Sequence, residues 1–144
     1  FLLASTLRAL VAQRLVRRLC PKCKTAYECG QEIAGRYGLA VGETIYRPGG
    51  CRECRDAGYR GRVGVFEVVR ITAQIADLIQ RRATLPELRG AVTKEGMRLL
   101  GASALERVRQ GTTSLEEALS VSTDHGTESW DNVLDSIQDA LAQV

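Results

Sequence analysis

Leu7, Leu10, Val11 and Leu15 recur at helical intervals, with Arg8, Arg14, Arg17 and Arg18 mostly on the other faces. This spacing predicts an amphipathic helix over residues 5–19, ended by Cys20-Pro21. From Cys20 to Gly61 the periodicity fades into Gly, Cys and charged positions, apart from a short helix expected near Gln31 to Tyr37. Arg62 to Val69 then carries apolar residues on both faces, the pattern of a strand interior to a small sheet. Beyond Thr72 the chain reads as helical. Ile75, Leu78 and Ile79 mark one helix, and Thr84 with Glu87 forms a capping box for the next, with Pro86 tolerated in its first turn. Leu99 to Gln110 is a third, stopped by Gly111, and Thr113 or Ser114 opens a fourth at Leu115-Glu116-Glu117. A polar linker over 122–129 leads to a last helix. In it Trp130, Val133, Leu134, Ile137, Leu141 and Val144 share one stripe, opposite Asp131, Asp135 and Asp139.

The fold class expected from these elements is α+β and mainly helical. It divides into residues 1–19, a cysteine-bearing module with a strand over 20–70, a helical subdomain over 71–122 and a tail over 123–144. Because residues 20–61 hold few apolar side chains, the module is expected to need a staple, whereas the later helices carry apolar faces of their own.

Composition keeps the chain among folded globular proteins, with 44% hydrophobic and 26% charged residues. The apolar start at Phe1 lacks the basic flank of a signal peptide, and no run of apolar residues is long enough for a membrane span. A cytoplasmic location is therefore expected. Phe1 is no initiator and Met97 is the only methionine, so the chain is expected to derive from a larger protein. Net charge is +3 but unevenly divided: residues 1–70 hold 13 Lys and Arg against 6 Asp and Glu, and residues 71–144 hold 7 against 11. A basic half is compatible with nucleic acid, anionic lipid or an acidic partner subunit.

Chemistry enters with the cysteines. Cys20-Pro21-Lys22-Cys23 and Cys51-Arg52-Glu53-Cys54 are two C-x2-C pairs separated by 27 residues. Each pair can close a tight knuckle, and two knuckles supply the four thiolates of a tetrahedral structural zinc site. Disulfides or free thiols are the alternatives, with nothing to indicate an oxidising compartment. Four thiolates on a divalent ion leave a charge of about −2, which Lys22, Lys24, Arg52 and Arg55 stand close enough in sequence to offset. Cys29 matches neither pair and reads as a spare thiol. His125, the sole histidine, lies in the polar linker and reads as solvated. No phosphate-binding glycine loop of the G-x-x-x-x-G-K-[ST] type is present, nor any nucleophile with a base.

Several segments in order carry a resemblance. These are Ala12 to Lys24 (AQRLVRRLCPKCK), Gly50 to Cys54 (GCREC), Gly58 to Glu67 (GYRGRVGVFE), Glu95 to Arg98 (EGMR) and Gly111 to Leu119 (GTTSLEEAL). Over roughly residues 1–122 the chain resembles the C-terminal part of the ATPases that drive bacterial type II secretion and type IV pilus assembly.

The resemblance implies a hexameric parent at the cytoplasmic face of the inner membrane, docked there on platform proteins. Its ATP and magnesium would be held by motifs lying before Phe1. Residues 1–19 would be the helix leaving the nucleotide-binding domain, and this region would not hydrolyse ATP alone. The same resemblance places the family's metal ligands on Cys20, Cys23, Cys51 and Cys54. Retraction-type pilus motors generally lack this insert, which implies an assembly or secretion motor, with type II secretion the first choice. Gly101 and Ala102 depart from the family's usual polar or acidic residues, and residues 123–144 lie beyond the resemblance. Tyr59, Arg60 and Arg62 are candidates for a subunit contact or, equally simply, turn neighbours of Gly58 and Gly61. Gln13 and Arg14 either couple the nucleotide domain to the module or face water. The competing function is a zinc-containing nucleic-acid-binding module using the basic half. It is disfavoured because Tyr27, Tyr37, Tyr46 and Tyr59 show no stacking pattern, so no direct contact with nucleic acid is expected.

Overall fold

Residues 9–19 form a strand. The computed structural model, which describes residues 2–122, has a short helix α1 (Leu2–Thr6) followed by β1 (Ala9–Leu19), where the periodicity predicts one helix over 5–19. β1 runs antiparallel to β4 (Tyr59–Arg70), from Ala9 opposite Arg70 to Leu19 opposite Tyr59, with an irregularity between Arg17 and Leu19. The correction has a physical cause. A ladder with a partner rich in Val63, Val65, Val68 and Val69 supplies backbone hydrogen bonds along most of the segment, and such tertiary pairing overrides a modest local helix preference. Burial alternates with period two: Val16 and Val65 are fully buried on the inner face, while Val11, Leu15, Phe66 and Val68 stay exposed on the outer one. β4 is therefore apolar on both faces as expected, but it is not interior, because β1 is its one strand neighbour among the described residues.

A second, smaller hairpin pairs β2 (Thr25–Glu28) with β3 (Thr44–Arg47), and α2 (Gln31–Tyr37) fills the connection, as its sequence predicts. Cys29 closes the base of that loop. Its N–H donates to the Glu43 carbonyl at 2.9 Å, and its carbonyl accepts from Gly42 at 2.9 Å.

Four further helices complete the described chain: α3 (Ala73–Gln80), α4 (Leu85–Lys94), α5 (Leu100–Arg109) and α6 (Leu115–Ser122). The start of α4 is capped by Glu87, whose carboxylate accepts from the Thr84 N–H and hydroxyl, both at 2.7 Å. The fold is thus α+β, with six helices and two small antiparallel sheets among the described residues. None of these helices is long and apolar enough to cross a membrane. The expected tail helix and its Trp130 lie outside the described residues.

One core runs through both the cysteine-bearing half and the helical half. Val16, Cys29, Ile45 and Val65 pack with Ala104, Leu105, Val108 and Ala118 in a single buried cluster. Thus α5 and α6 share their apolar faces with the ribbon and the small hairpin, while α3 packs on α4 and on α1.

The turn between α5 and α6 is tied to the end of β1. The Leu19 N–H donates to the Thr112 carbonyl at 2.9 Å, and the Thr113 hydroxyl donates to the Arg17 carbonyl at 2.8 Å. Glu117 accepts from the Arg17 N–H and from its Nε, each at 2.8 Å, with Nη2 at 2.7 Å. Burial pushes the Glu117 carboxyl up, but these bonds and the guanidinium charge outweigh it and hold the group below the usual glutamate range. A depressed carboxylate contributes stability that is present above the ordinary value of about 4.3 and lost as pH falls through the folded one. Glu117→Gln is accordingly expected to cost about 1.5–3 kcal/mol at pH 7. The difference from the unsubstituted chain should shrink on acidification below about pH 4, as measured by urea unfolding across pH. A constant difference down to pH 2 would refute the assignment.

Candidate metal centre

Two short turns bring four sulfurs together. In the first, Cys20 ends the ribbon just after β1, and its carbonyl accepts from Cys23 at 3.3 Å and Lys24 at 3.0 Å, so the chain curls around the thiol pair. In the second, Arg52–Cys54 is a single 3-10 turn. The Cys51 carbonyl accepts from Cys54 at 3.2 Å and Asp56 at 3.0 Å, and Arg55 and Asp56 take positive φ to turn the chain back. The two turns are stitched by the Cys20 N–H, which donates to the Gly58 carbonyl at 2.9 Å.

Two glycines make the approach possible. A side chain at Gly49 would run into the Cys23 carbonyl, which sets the distance between the turns. Gly58 has φ +73°, and a Cβ there would stand 2.5 Å from both the Gly49 oxygen and Pro48 Cβ.

The ligand atoms of Cys20, Cys23, Cys51 and Cys54 all lie within 4.8 Å of one another. Cys20 and Cys51 are 3.9 Å apart, Cys23 and Cys54 3.7 Å, and Cys51 and Cys54 3.6 Å. None is joined in a disulfide. Four sulfurs at about 2.3 Å from a tetrahedral zinc ion would sit about 3.8 Å apart. The observed spacings match that edge and lie far beyond the roughly 2.05 Å of a disulfide. The donor set therefore suits a soft, four-coordinate divalent ion. Cys20 and Cys54 are buried, and Cys23 and Cys51 are half-buried, which leaves the centre closed to bulk water on one side.

Electrostatics within the cluster is uneven. Burial pushes the Cys54 thiol up, but hydrogen bonding with the Cys51 backbone, the Gly58 N–H at 3.3 Å and the neighbouring thiols outweigh it and bring the group down to about 7. Cys23 is pushed up to about 12, first by desolvation and then by the other three sulfurs. Four sulfurs this close repel as thiolates unless a cation sits among them.

The neighbouring charges divide their roles. Lys24, expected to balance the thiolates, donates to the Gly111 carbonyl at 2.8 Å and lies 4.2 Å from the Tyr46 ring centre, so it ties the first turn to the end of α5. Lys22, Arg52 and Arg55 are exposed around the two turns. Arg60 meets Glu53 at 3.4 Å in an exposed pair that contributes at most about 1 kcal/mol. Tyr59 turns inward: its hydroxyl is 2.8 Å from Ser114 Oγ, and the Arg17 guanidinium stacks 4.1 Å from its ring centre. Arg62 is exposed opposite Arg17, Gln13 is exposed on the outer ribbon face, and Arg14 donates to the Gln13 carbonyl at 3.2 Å. Cys29 is buried in the core, apart from the four-sulfur cluster.

The Glu117 to Arg17 lock and the Tyr59 to Ser114 bond were not legible from local pattern. Their partners are 100 and 55 residues apart, although Glu117 and Ser114 both sit in the Gly111 to Leu119 segment singled out above.

A small α+β unit organised around paired cysteine turns is the class that this geometry defines. Comparison with known proteins places it further. The family model described as "Type II/IV secretion system protein" matches residues 1–120, and the chain belongs to that family. It is 38% identical over 125 residues to the type IV pilus assembly ATPase TfpB of Acinetobacter baylyi, an alignment covering 84% of this chain and 21% of that protein. It is also 38% identical over 128 residues to the type II secretion system protein E of Dickeya dadantii, covering 84% of this chain and 24% of that one. The type IV pilus assembly ATPase PilB of Myxococcus xanthus is 39% identical over 124 residues, with 83% and 22% covered. The chain thus spans less than a quarter of the length of these relatives.

Proposed function

We propose that this region is the non-catalytic, zinc-stapled C-terminal part of a motor ATPase that powers type II secretion or type IV pilus assembly. The observation that carries the reading is the gathering of Cys20, Cys23, Cys51 and Cys54 at tetrahedral spacings in a chain of this family. When bound, a zinc ion supplies charge neutralisation and cross-linking rather than a reactive water, because four protein thiolates leave no open position. Cys20 and Cys54 anchor the ion from the buried side, Gly49 and Gly58 let the two turns close, and Lys24 fastens the centre to the end of α5.

In the whole motor, ATP and magnesium belong to parts of the protein other than residues 1–144, since the sequence holds no phosphate-cradling loop. The parent works as a hexamer on inner-membrane platform proteins at the cytoplasmic face, and the module holds the ribbon and α5–α6 rigid so that force passes through them. Relatives of both the pilus-assembly and the type II kind support a motor that builds or exports.

Elemental analysis of the purified chain is expected to give one zinc per molecule, and X-ray absorption four sulfur neighbours near about 2.3 Å. The same preparation is expected to leave ATP unhydrolysed. Absence of zinc, a disulfide between any two of the four cysteines, or ATP turnover abolished by a point substitution in this chain would each overturn the reading.

A further inference from the structure

The segment that joins α5 to α6 reaches the cysteine turns at several points. Leu19, next to Cys20, donates its N–H to the Thr112 carbonyl at 2.9 Å, and Lys24, next to Cys23, donates to the Gly111 carbonyl at 2.8 Å. The Tyr59 hydroxyl meets Ser114 Oγ at 2.8 Å, and its neighbour Gly58 serves both turns. The Gly58 N–H donates to Cys54 Sγ at 3.3 Å, and the Gly58 carbonyl accepts from the Cys20 N–H at 2.9 Å. Chain positions beside three of the four sulfurs are thus held by residues 111–114, which are remote from them in sequence.

Thr113 and Ser114 are 0% and 2% exposed, the buried polar side chains among the described residues. Burying a hydroxyl costs free energy unless it is hydrogen-bonded, and a packing role alone would be filled by Val and Ala. Both hydroxyls are bonded, and their partners, the Arg17 carbonyl at 2.8 Å and the Tyr59 hydroxyl, lie at the cysteine end of the ribbon. Gly111 is fitted as closely. At φ +62° it takes a left-handed conformation, and a Cβ there would stand 2.7 Å from the Tyr46 ring and 3.0 Å from Lys24 Nζ, crowding both members of that contact.

We propose that residues 111–114 are an outer shell of the metal centre, with Lys24, Tyr59 and Thr113 as positioning residues that slow release of the ion. Resting on the zinc site proposed above, this assignment adds that metal retention is set from the α5–α6 turn as well as by the four thiolates. A cysteine leaves the ion only if its turn moves, and a turn tied at Leu19, Lys24 and Tyr59 moves only when a hydrogen bond to residues 111–114 opens with it. The linkage is reciprocal, so a bound ion also holds the start of α6 in place. Groups that orient metal ligands from behind typically contribute about 10–100-fold to affinity. Thr113 carries no charge, so its effect is separable from the charge balance of the thiolates.

The test loads the intact 144-residue chain with cobalt(II), whose visible absorption reports a tetrahedral sulfur site, and follows loss of the band to excess EDTA; release of zinc is then timed in the same way. Thr113→Val and Lys24→Met are each expected to speed release about 10-fold, with the initial cobalt spectrum still that of four sulfurs. Thr113→Ser, which keeps the hydroxyl, should restore the slow rate. Lys24 is half-buried, so Lys24→Met carries the test even where Thr113→Val lowers stability. Val92→Ala, a truncation of a buried side chain on α4, which packs on α3, should lower the urea midpoint and leave release unchanged. Unchanged release in both Thr113→Val and Lys24→Met, with cobalt still bound by four sulfurs, would overturn the proposal and leave the zinc site standing. Release that quickens in Val92→Ala as much as in those two would overturn it as well, since general loss of stability would then account for the effect. An unsubstituted chain that takes up neither cobalt nor zinc would overturn the zinc site and the outer shell together.

Discussion

Cys51→Ser is expected to abolish stoichiometric zinc binding and to unfold far more of the chain than the loop that carries it. A serine hydroxyl stays protonated at neutral pH, so the centre loses one of four thiolates and keeps three crowded sulfurs, Cys23 and Cys54 among them at 3.7 Å, without the full ligand set that a cation needs to offset them. Structural zinc is worth on the order of 10–16 kcal/mol to small peptides, more than the whole stability of an ordinary domain of about 5–15 kcal/mol. The small hairpin has no large apolar reserve to replace it. Ile45, Cys29, Ala34 and Leu39 are its buried members, and all of them sit in the cluster shared with α5 and α6.

Amide exchange should therefore show loss of protection through residues 20–61 and in α5 and α6, with α3 and α4 least affected because they pack on each other. The composition of the loop alone suggests a narrower effect, confined to the cysteine-bearing part. Retention of one zinc with an unchanged melting temperature would refute the role of Cys51. Melting limited to residues 20–61, with α5 and α6 fully protected, would refute the shared core.

Leu105→Ala tests that shared core without touching a cysteine. Leu105 is fully buried in the middle of α5, among side chains from β1, β3 and β4. Truncation removes buried methyl groups and leaves a cavity, a change that costs about 2–5 kcal/mol in a well-packed core. The helix itself gains slightly, since Ala has the higher propensity, so the loss belongs to packing. Urea unfolding should show a lower midpoint at unchanged slope. Exchange should quicken at Ile45 and Val16 as well as in α5, while zinc content stays at one per chain. If the destabilisation stays below about 1 kcal/mol, or if exchange at Ile45 does not change, the small hairpin and α5 do not form one unit.

Much of the architecture was written locally. The helix at Gln31–Tyr37, the Thr84 and Glu87 cap, the stop at Gly111 and the strand around Arg62 to Val69 each follow from a signal a few residues long: a cap, a left-handed glycine or an alternation of valines. The cysteine pairs were equally plain, because a C-x2-C turn forms from its own four residues and leaves only the meeting of the two turns to the fold. Membership of the secretion and pilus family was legible in ordered motifs from Ala12 to Leu119, and the family match over residues 1–120 establishes it.

Residues 9–19 were misread for the opposite reason. Their apolar spacing satisfies a helix of period 3.6, and what makes them a strand is β4, some 50 residues away, whose backbone takes up their hydrogen bonds. The same distance hid Arg17's pairing with Glu117 and Tyr59's with Ser114, since a side chain's charge says that it needs a partner but not where the fold will deliver one. It also hid the union of the hairpin with α5 and α6, which no local pattern predicts, because Ile45 and Leu105 join one buried cluster only once the chain has folded. Sequence alone thus determined the helix caps and stops, the two cysteine pairs and the family. Only the tertiary structure decided which face of the ribbon is covered, how the four sulfurs are spaced and which helices share a core with the small hairpin, because those properties depend on contacts between residues far apart in the chain.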